Sequence, residues 1–335
     1  MIEEKQRRLT VNLILLPVLL ALLILTFLFS ISAGYEAFTP SQIMEALFRT
    51  DNSMGRKIIY NIRLPRALTA CFIGICLSLS GCILQGVMRN KMASPSTIGV
   101  TSGASFMGYL TMVAFPAYAS LLPLGAFLGA FGTTMLIYLL AYEKGVSPVK
   151  IILSGMAVSA VFGAFNDIIR SFFSENLSGV QSYLVGGLSG VTWKNVYVIM
   201  PFALVGMAVC LLFPHKMNIL MLGDEVAGTL GLRVERFRLL LIVTSSMLAG
   251  ASVAVAGMIS FVGLIVPHIS RLMVGSDHKF LFPASILTGA TLVLLCDTVG
   301  RLIILPGEIP VSIILAFIGA PFFLWLMRTR EKEGG

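Results

Sequence analysis

Charge is scarce in this chain. Asp, Glu, Lys and Arg make up 12% of its 335 residues while 57% are apolar, more hydrophobic surface than one soluble core of this size can hide. No long polar stretch interrupts the apolar runs between residues 10 and 328, so the expectation is a single membrane domain over 1–335 with no attached soluble domain. The phosphate-cradling pattern GxxxxGK[ST] is missing, so any ATP coupling must come from a partner. Also missing are a paired-carboxylate site, a GxSxG elbow and an HExxH helix, which argues against a membrane-embedded enzyme. Cys71, Cys76, Cys82, Cys210 and Cys296 lie inside apolar runs without CxxC spacing and read as small hydrophobes, leaving no metal site. His215, His268 and His278 are dispersed and read as helix-end or surface residues near the cytoplasmic side. No internal repeat is strong enough to assert.

What the chain does have is a succession of hydrophobic runs, each near the roughly 20 residues that cross a bilayer as helix. Charged and Pro/Gly punctuation divides them into about ten spans, near 10–33, 64–88, 96–115, 119–142, 148–172, 195–213, 238–257, 258–274, 280–300 and 310–328. The fold class expected is therefore an all-α polytopic membrane protein. The run at 258–274 contains Pro267 and His268 and is expected to be a short helix turning back after Gly257. The first run follows Lys5-Gln6-Arg7-Arg8 and is longer than a signal-peptide core, so an uncleaved first helix is expected.

Alternating these spans from a cytoplasmic N-terminus puts 16 of the 24 Lys and Arg residues inside and 8 outside. The bias supports this orientation, with both termini cytoplasmic. The net charge of +8 then faces anionic inner-leaflet lipid and gives no reason to invoke nucleic acid. Small residues at Gly99/Gly103, Gly125/Gly129 and Gly186/Gly190 have helix-packing spacing.

Ionisable residues in or beside the spans are the candidate functional groups. Asp167 with Arg170, and Asp297 with Arg301, have spacings that let each pair meet on one helix face near the outer end of its span. Mutual neutralisation and a functional role are both open for them. Arg63 and Arg66 lie outside, against the positive-inside trend, with no acid within one turn. Pro65 between them suits the first turn of a helix, which would set both guanidinia at its outer end. They suit either an acidic partner or anionic cargo, held bidentately, or lipid phosphate reached by snorkelling.

The longest cytoplasmic loop, about 215–238, carries Leu222, Gly223, Asp224, Glu225, Val226, Ala227, Leu230 and Gly231. Asp224 and Glu225 suit the first turn of a short helix and Gly231 its end. Val226 and Leu230 would then form an apolar stripe with no lipid over it, suited to another protein's groove or to the membrane surface.

Motifs in this order resemble those of the FecCD-type permeases of iron-siderophore, haem and cobalamin ABC importers. They are Arg63-Leu-Pro-Arg66-Ala, Ser80-Gly-Cys-Ile-Leu-Gln85 into Arg89-Asn90 and Ala93-Ser-Pro95, and Gly99-Val-Thr-Ser-Gly103-Ala104. Further on come Gly186 to Trp193, the Leu222–Gly231 loop, Phe261 to Arg271, Asp277-His278-Lys279, Asp297 to Arg301, and Ile309-Pro-Val311 to Gly319-Ala-Pro321. The likeness covers essentially the whole chain. It implies ten membrane helices and a multi-pass protein of the cell membrane. It also implies a second permease, identical or paralogous, two cytoplasmic ATPases that bind the ATP and Mg, and an extracytoplasmic binding protein. No cofactor belongs to this chain itself.

The resemblance gives Arg63, Arg66 and Arg301 to binding-protein docking, with Asp297 orienting Arg301. It makes 222–232 the ATPase coupling helix, sets cytoplasmic gates at Asn90, Met92 and Ser147, and runs cargo along the fifth and tenth spans. Two departures are Asn90-Lys91-Met92 in place of Asn-Pro-Leu, which removes a backbone restraint beside the gate, and Ser312 in place of Gly. The alternative from another class is a proton- or ion-coupled secondary transporter using Asp167 and Asp297 as relay carboxylates.

Overall fold

Apolar runs in lipid must satisfy every backbone N–H and C=O internally, and helices do so within one segment. The computed structural model describes residues 2–48, 53–96, 99–115, 117–142, 148–173, 183 and 185–331, and among these it contains helices and no strand. The helices are α1 (Ile2–Ser32), α2 (Pro40–Phe48), α3 (Met54–Ile58), α4 (Leu64–Val87), α5 (Val100–Ala114), α6 (Leu122–Ala141) and α7 (Pro148–Phe172). They continue with α8 (Trp193–Leu212), α9 (Pro214–Met221), α10 (Asp224–Thr229), α11 (Val234–Ala256), α12 (Val262–Val274), α13 (His278–Ile303) and α14 (Val311–Glu331). A π-helical turn, Ile59–Arg63, joins α3 to α4.

Seven helices among the described residues are long and apolar enough to cross a membrane, while α5 and α12 fall short of that length. The short helix expected at 258–274 begins only at Val262, because the chain first turns through Gly257 and Phe261, both at positive φ.

The core is α4. It packs against α13, α11, α8 and α12, and almost every residue from Ala67 onward is buried. Its sequence explains this: small side chains replace the bulky ones of a lipid-facing helix, so neighbouring backbones come close. A methyl at Gly74 would overlap the Gly289 carbonyl of α13, and one at Gly81 the Gly263 carbonyl of α12. Ser80 and Ser245 add a hydroxyl pair at 2.7 Å between α4 and α11. By contrast α1 turns a row of large apolar side chains outward, from Leu13 to Phe29, as a helix against lipid does. Its Asn12 side chain donates to the Val274 carbonyl at 3.0 Å and so ties it to α12.

Of the small-residue pairs, Gly103 and Gly129 do pack α5 against α6, each lying where a methyl would overlap the other's carbonyl. Gly186 and Gly190 do not form a packing stripe. They are turn residues with φ of 79° and 71°, a backbone conformation that glycine adopts without a side-chain clash.

Candidate functional site

The groups singled out in the sequence collect at the two ends of the helix bundle. At one end, the π-helical turn widens the helix just before Pro65, which stands in the first turn of α4. Arg63 closes that turn and Arg66 follows on α4. The two guanidinia are not side by side at the surface. Arg63 is 6% exposed. It donates to the Ile31 carbonyl at 2.7 Å and the Ser32 carbonyl at 3.0 Å, reaches the Glu36 carbonyl, and lies over the Phe38 ring. The expected outward guanidinium is thus turned inward, where it satisfies the open carbonyls at the end of α1.

Arg66 meets acids that are remote in sequence. Its Nε and Nη2 grip Asp297 at 2.8–3.2 Å, and Nη1 donates to Glu308 at 2.7 Å. Asp297 is 2% exposed, so its charge is offset inside the protein by this fork and by Arg301, whose Nε lies 3.5 Å away. Arg301 in turn donates to both the carbonyl and the hydroxyl of Ser30 at 3.0 Å. Asp297 therefore holds Arg66 first and Arg301 second.

Glu308 lies between α13 and α14. Burial would raise its pKa, but hydrogen bonds from Ser189 and Arg66, with the charges of Arg66 and Arg301, hold it below the ordinary carboxylate value. Arg66 and Glu308 form one wall of a cavity of about 540 Å³ that extends past Ser189 and the Gly186 turn to Ile309 and Pro310. Asp167 and Arg170 pair at 3.8 Å on α7, both well exposed, and the Arg170 Nε donates to the Tyr109 hydroxyl at 2.7 Å.

At the opposite end, α10 forms where expected and ends at Gly231, whose φ is 81°. Ala227 faces inward while Leu222, Val226 and Leu230 stand 47–59% exposed. Asp224 does more than complement the helix dipole. Both of its oxygens accept from Arg238 Nη2 of α11, at 2.7 and 2.8 Å, and Arg89 stands 3.6 Å from it. Arg238 is 1% exposed and is also paired with Glu235 at 2.6 Å. Arg238 did not stand out in the sequence, where it ends the run Arg233-Val-Glu235-Arg236-Phe-Arg238 and reads as one of several cytoplasmic cations, and Arg89 entered only as part of a motif.

Asn90 and Met92 are half-buried in the turn after α4, where the Asn90 side chain accepts from the Met92 N–H at 2.9 Å. Ser147 lies outside the described residues. His278, at the start of α13, is tied to α9: its Nδ1 is 2.6 Å from Asn218 Oδ1, and the Asn218 amide donates to Asp277 at 2.7 Å. Burial opposes ionisation of Asp277, yet the Lys279 N–H, the Asn218 amide and the nearby His215 and His278 hold its pKa below the ordinary carboxylate value.

Residues 22–329 match the FecCD transport family. The chain is 36% identical to the Fe(3+)-citrate import system permease protein YfmD of Bacillus subtilis (strain 168), over 98% of each. It is 41% identical to the cobalamin import system permease protein BtuC of Halobacterium salinarum, over 82% of this chain and 74% of the relative. Among solved structures it resembles a metal-chelate type ABC transporter in an inward-facing conformation. The TM-score is 0.84 at 34% identity, covering 94% of this chain and 99% of the other.

Proposed function

The chain belongs to the FecCD transport family, and from that premise we propose that it is the membrane-spanning permease subunit of an ATP-driven importer of metal chelates, ferric siderophores foremost, or of a ring compound such as haem or cobalamin. The single observation carrying the mechanism is α10: a short helix with its apolar side uncovered and its base fixed to α11 by Asp224 and Arg238. A helix held in this way suits insertion into a partner's groove, through which closure of an ATPase would tilt the membrane helices. The ATPase binds the ATP and Mg. Two permease copies or paralogues enclose the cargo path along α7 and α14, with Asn90, Met92 and Ser147 at its cytoplasmic gate. In this reading α5, α12 and α14 cross the membrane along with the seven longer helices, giving about ten spans, both termini cytoplasmic, in the cell membrane.

Changing Val226 and Leu230 together to Asp tests this. Both are exposed, so the permease should melt within a degree or so of wild type, since surface changes cost about 0.5 kcal/mol or less. An ATPase that copurifies with wild type should be lost. An ATPase retained at wild-type stoichiometry rejects the assignment, and transport by the chain alone in liposomes under an ion gradient would put ion coupling in its place.

At the outer end, the binding protein docks through acidic side chains on Arg66 and Arg301, with Arg63 fixing the end of α1 behind them. Glu308 competes for Arg66, so Glu308→Gln should tighten binding-protein association. Release of a partly exposed pair worth about 0.4–1 kcal/mol gives roughly a two- to fivefold gain. Biolayer interferometry with the permease in nanodiscs measures this, and weaker or unchanged association contradicts the docking geometry.

A further inference from the structure

A second cavity of about 540 Å³ lies apart from the ionic cluster, in the groove between α6, α8 and α11. Its lining is sorted by polarity. Ser120, Thr192, Lys194 and Asn195 line it at the start of α6 and α8, and all the other lining residues are apolar. Lys194, Val198 and Phe202 follow one face of α8 at i, i+4 and i+8, so the groove runs about 12 Å along the helix at 1.5 Å per residue. That length lies within one leaflet, about half of a ~30 Å hydrocarbon core.

Sequence makes the space. Ala251 and Ala254 leave the α11 wall without bulk, while Phe127 and Phe202, with ring centroids 5.3 Å apart, close the inner end. Leu124 and Val198 are half-exposed at its side, so the groove opens toward the lipid. Trp193 and Tyr197, stacked at 6.1 Å, and Tyr60 beside Trp193 stand at the polar end, as aromatic side chains do at the level of lipid headgroups. Among the described residues the exposed Lys194 ammonium is the one charge in the lining, and none of them that lines the groove is an acid.

We propose that this groove is a specific phospholipid site, with an acyl chain laid along Val198 toward Phe127 and Phe202 and an anionic headgroup held by Lys194 beside Thr192 and Asn195. The complementarity is to charge: a zwitterionic headgroup brings its own cation to the lysine and loses the preference. The leaflet concerned is the outer one if the topology proposed above holds. The test does not depend on that topology, because it reads lipid identity alone.

The full chain is reconstituted in vesicles of equal phosphatidylglycerol and phosphatidylcholine, extracted in mild detergent and examined by native mass spectrometry. Wild type should retain one phosphatidylglycerol per chain, at least fivefold over phosphatidylcholine. Lys194→Gln, an exposed substitution that leaves the fold untouched, should bring that ratio close to one. Ala254→Phe, filling the groove, should remove the retained lipid of either kind while the protein still elutes as a single species. Equal retention of both lipids by wild type, or a preference unchanged in Lys194→Gln, overturns the proposal. If Ala254→Phe instead splits a permease dimer, the groove is a subunit interface and the lipid site is likewise overturned.

Discussion

Asp297→Asn should lower the melting temperature of the purified permease by several degrees, on the order of 5–10 °C, and abolish uptake. The carboxylate is buried and takes the Arg66 fork at 2.8–3.2 Å with Arg301 at 3.5 Å. Removing its charge leaves two guanidinia facing each other with a single half-exposed acid, Glu308, nearby. Removing one partner from a buried ion pair costs about 3–5 kcal/mol, because the remaining charge has lost its compensation. The reverse holds for removing surplus cation: Asp297→Asn combined with Arg301→Met should recover about half of the loss. Thermal unfolding in detergent, followed by size-exclusion fluorescence, measures both. A single variant that melts within a degree of wild type would show that the cluster contributes little.

Gly81→Leu is expected to be more severe, leaving no monodisperse protein at all. At most core positions an added side chain displaces another, at a cost of typically ~1–3 kcal/mol. At Gly81 the obstruction is the Gly263 backbone itself, which cannot change rotamer. The α4–α12 separation would have to widen, and α4 also holds α13, α11 and α8 in place. Gly228→Ala, where nothing lies within 4 Å of an added methyl, is the matched control and should express and elute as wild type. A folded, monodisperse Gly81→Leu would show that the helices slide past this contact freely.

What could be read from the sequence was local. The Asp224–Thr229 helix with its Gly231 stop and the Asp167–Arg170 pair one turn apart both follow from residues near in sequence, while the spacings Gly99/Gly103 and Gly125/Gly129 marked small-residue faces without saying that Gly103 meets Gly129. The Arg66–Asp297 fork joins residues 231 apart, and only the α4–α13 crossing brings them together. The contact of Gly81 on Gly263 was hidden for the same reason, since the two glycines lie on helices far apart in the chain and only the α4–α12 crossing brings them together. Arg63 was misplaced because its acceptors are carbonyls, which leave no trace in residue identity. Gly186 and Gly190 show the converse: their spacing matched a packing motif, but positive φ makes them turns.

The clamp at Asp224 has a consequence for the opposite end of the molecule. Helix α11 is 23 residues long, or about 35 Å, and contains no proline to hinge it. Arg238, near its first turn, fastens α10. At its last turn the Tyr183 hydroxyl donates to the Val253 carbonyl and the Gly187 N–H to the Ala256 carbonyl at 2.9 Å, while Val255 and Ala256 line the same cavity as Arg66 and Glu308. One unbroken rod thus has the short α10 helix bolted to its foot and the wall of the Arg66–Glu308 cavity bolted to its head. Leverage applied at one fitting reaches the other without crossing a joint.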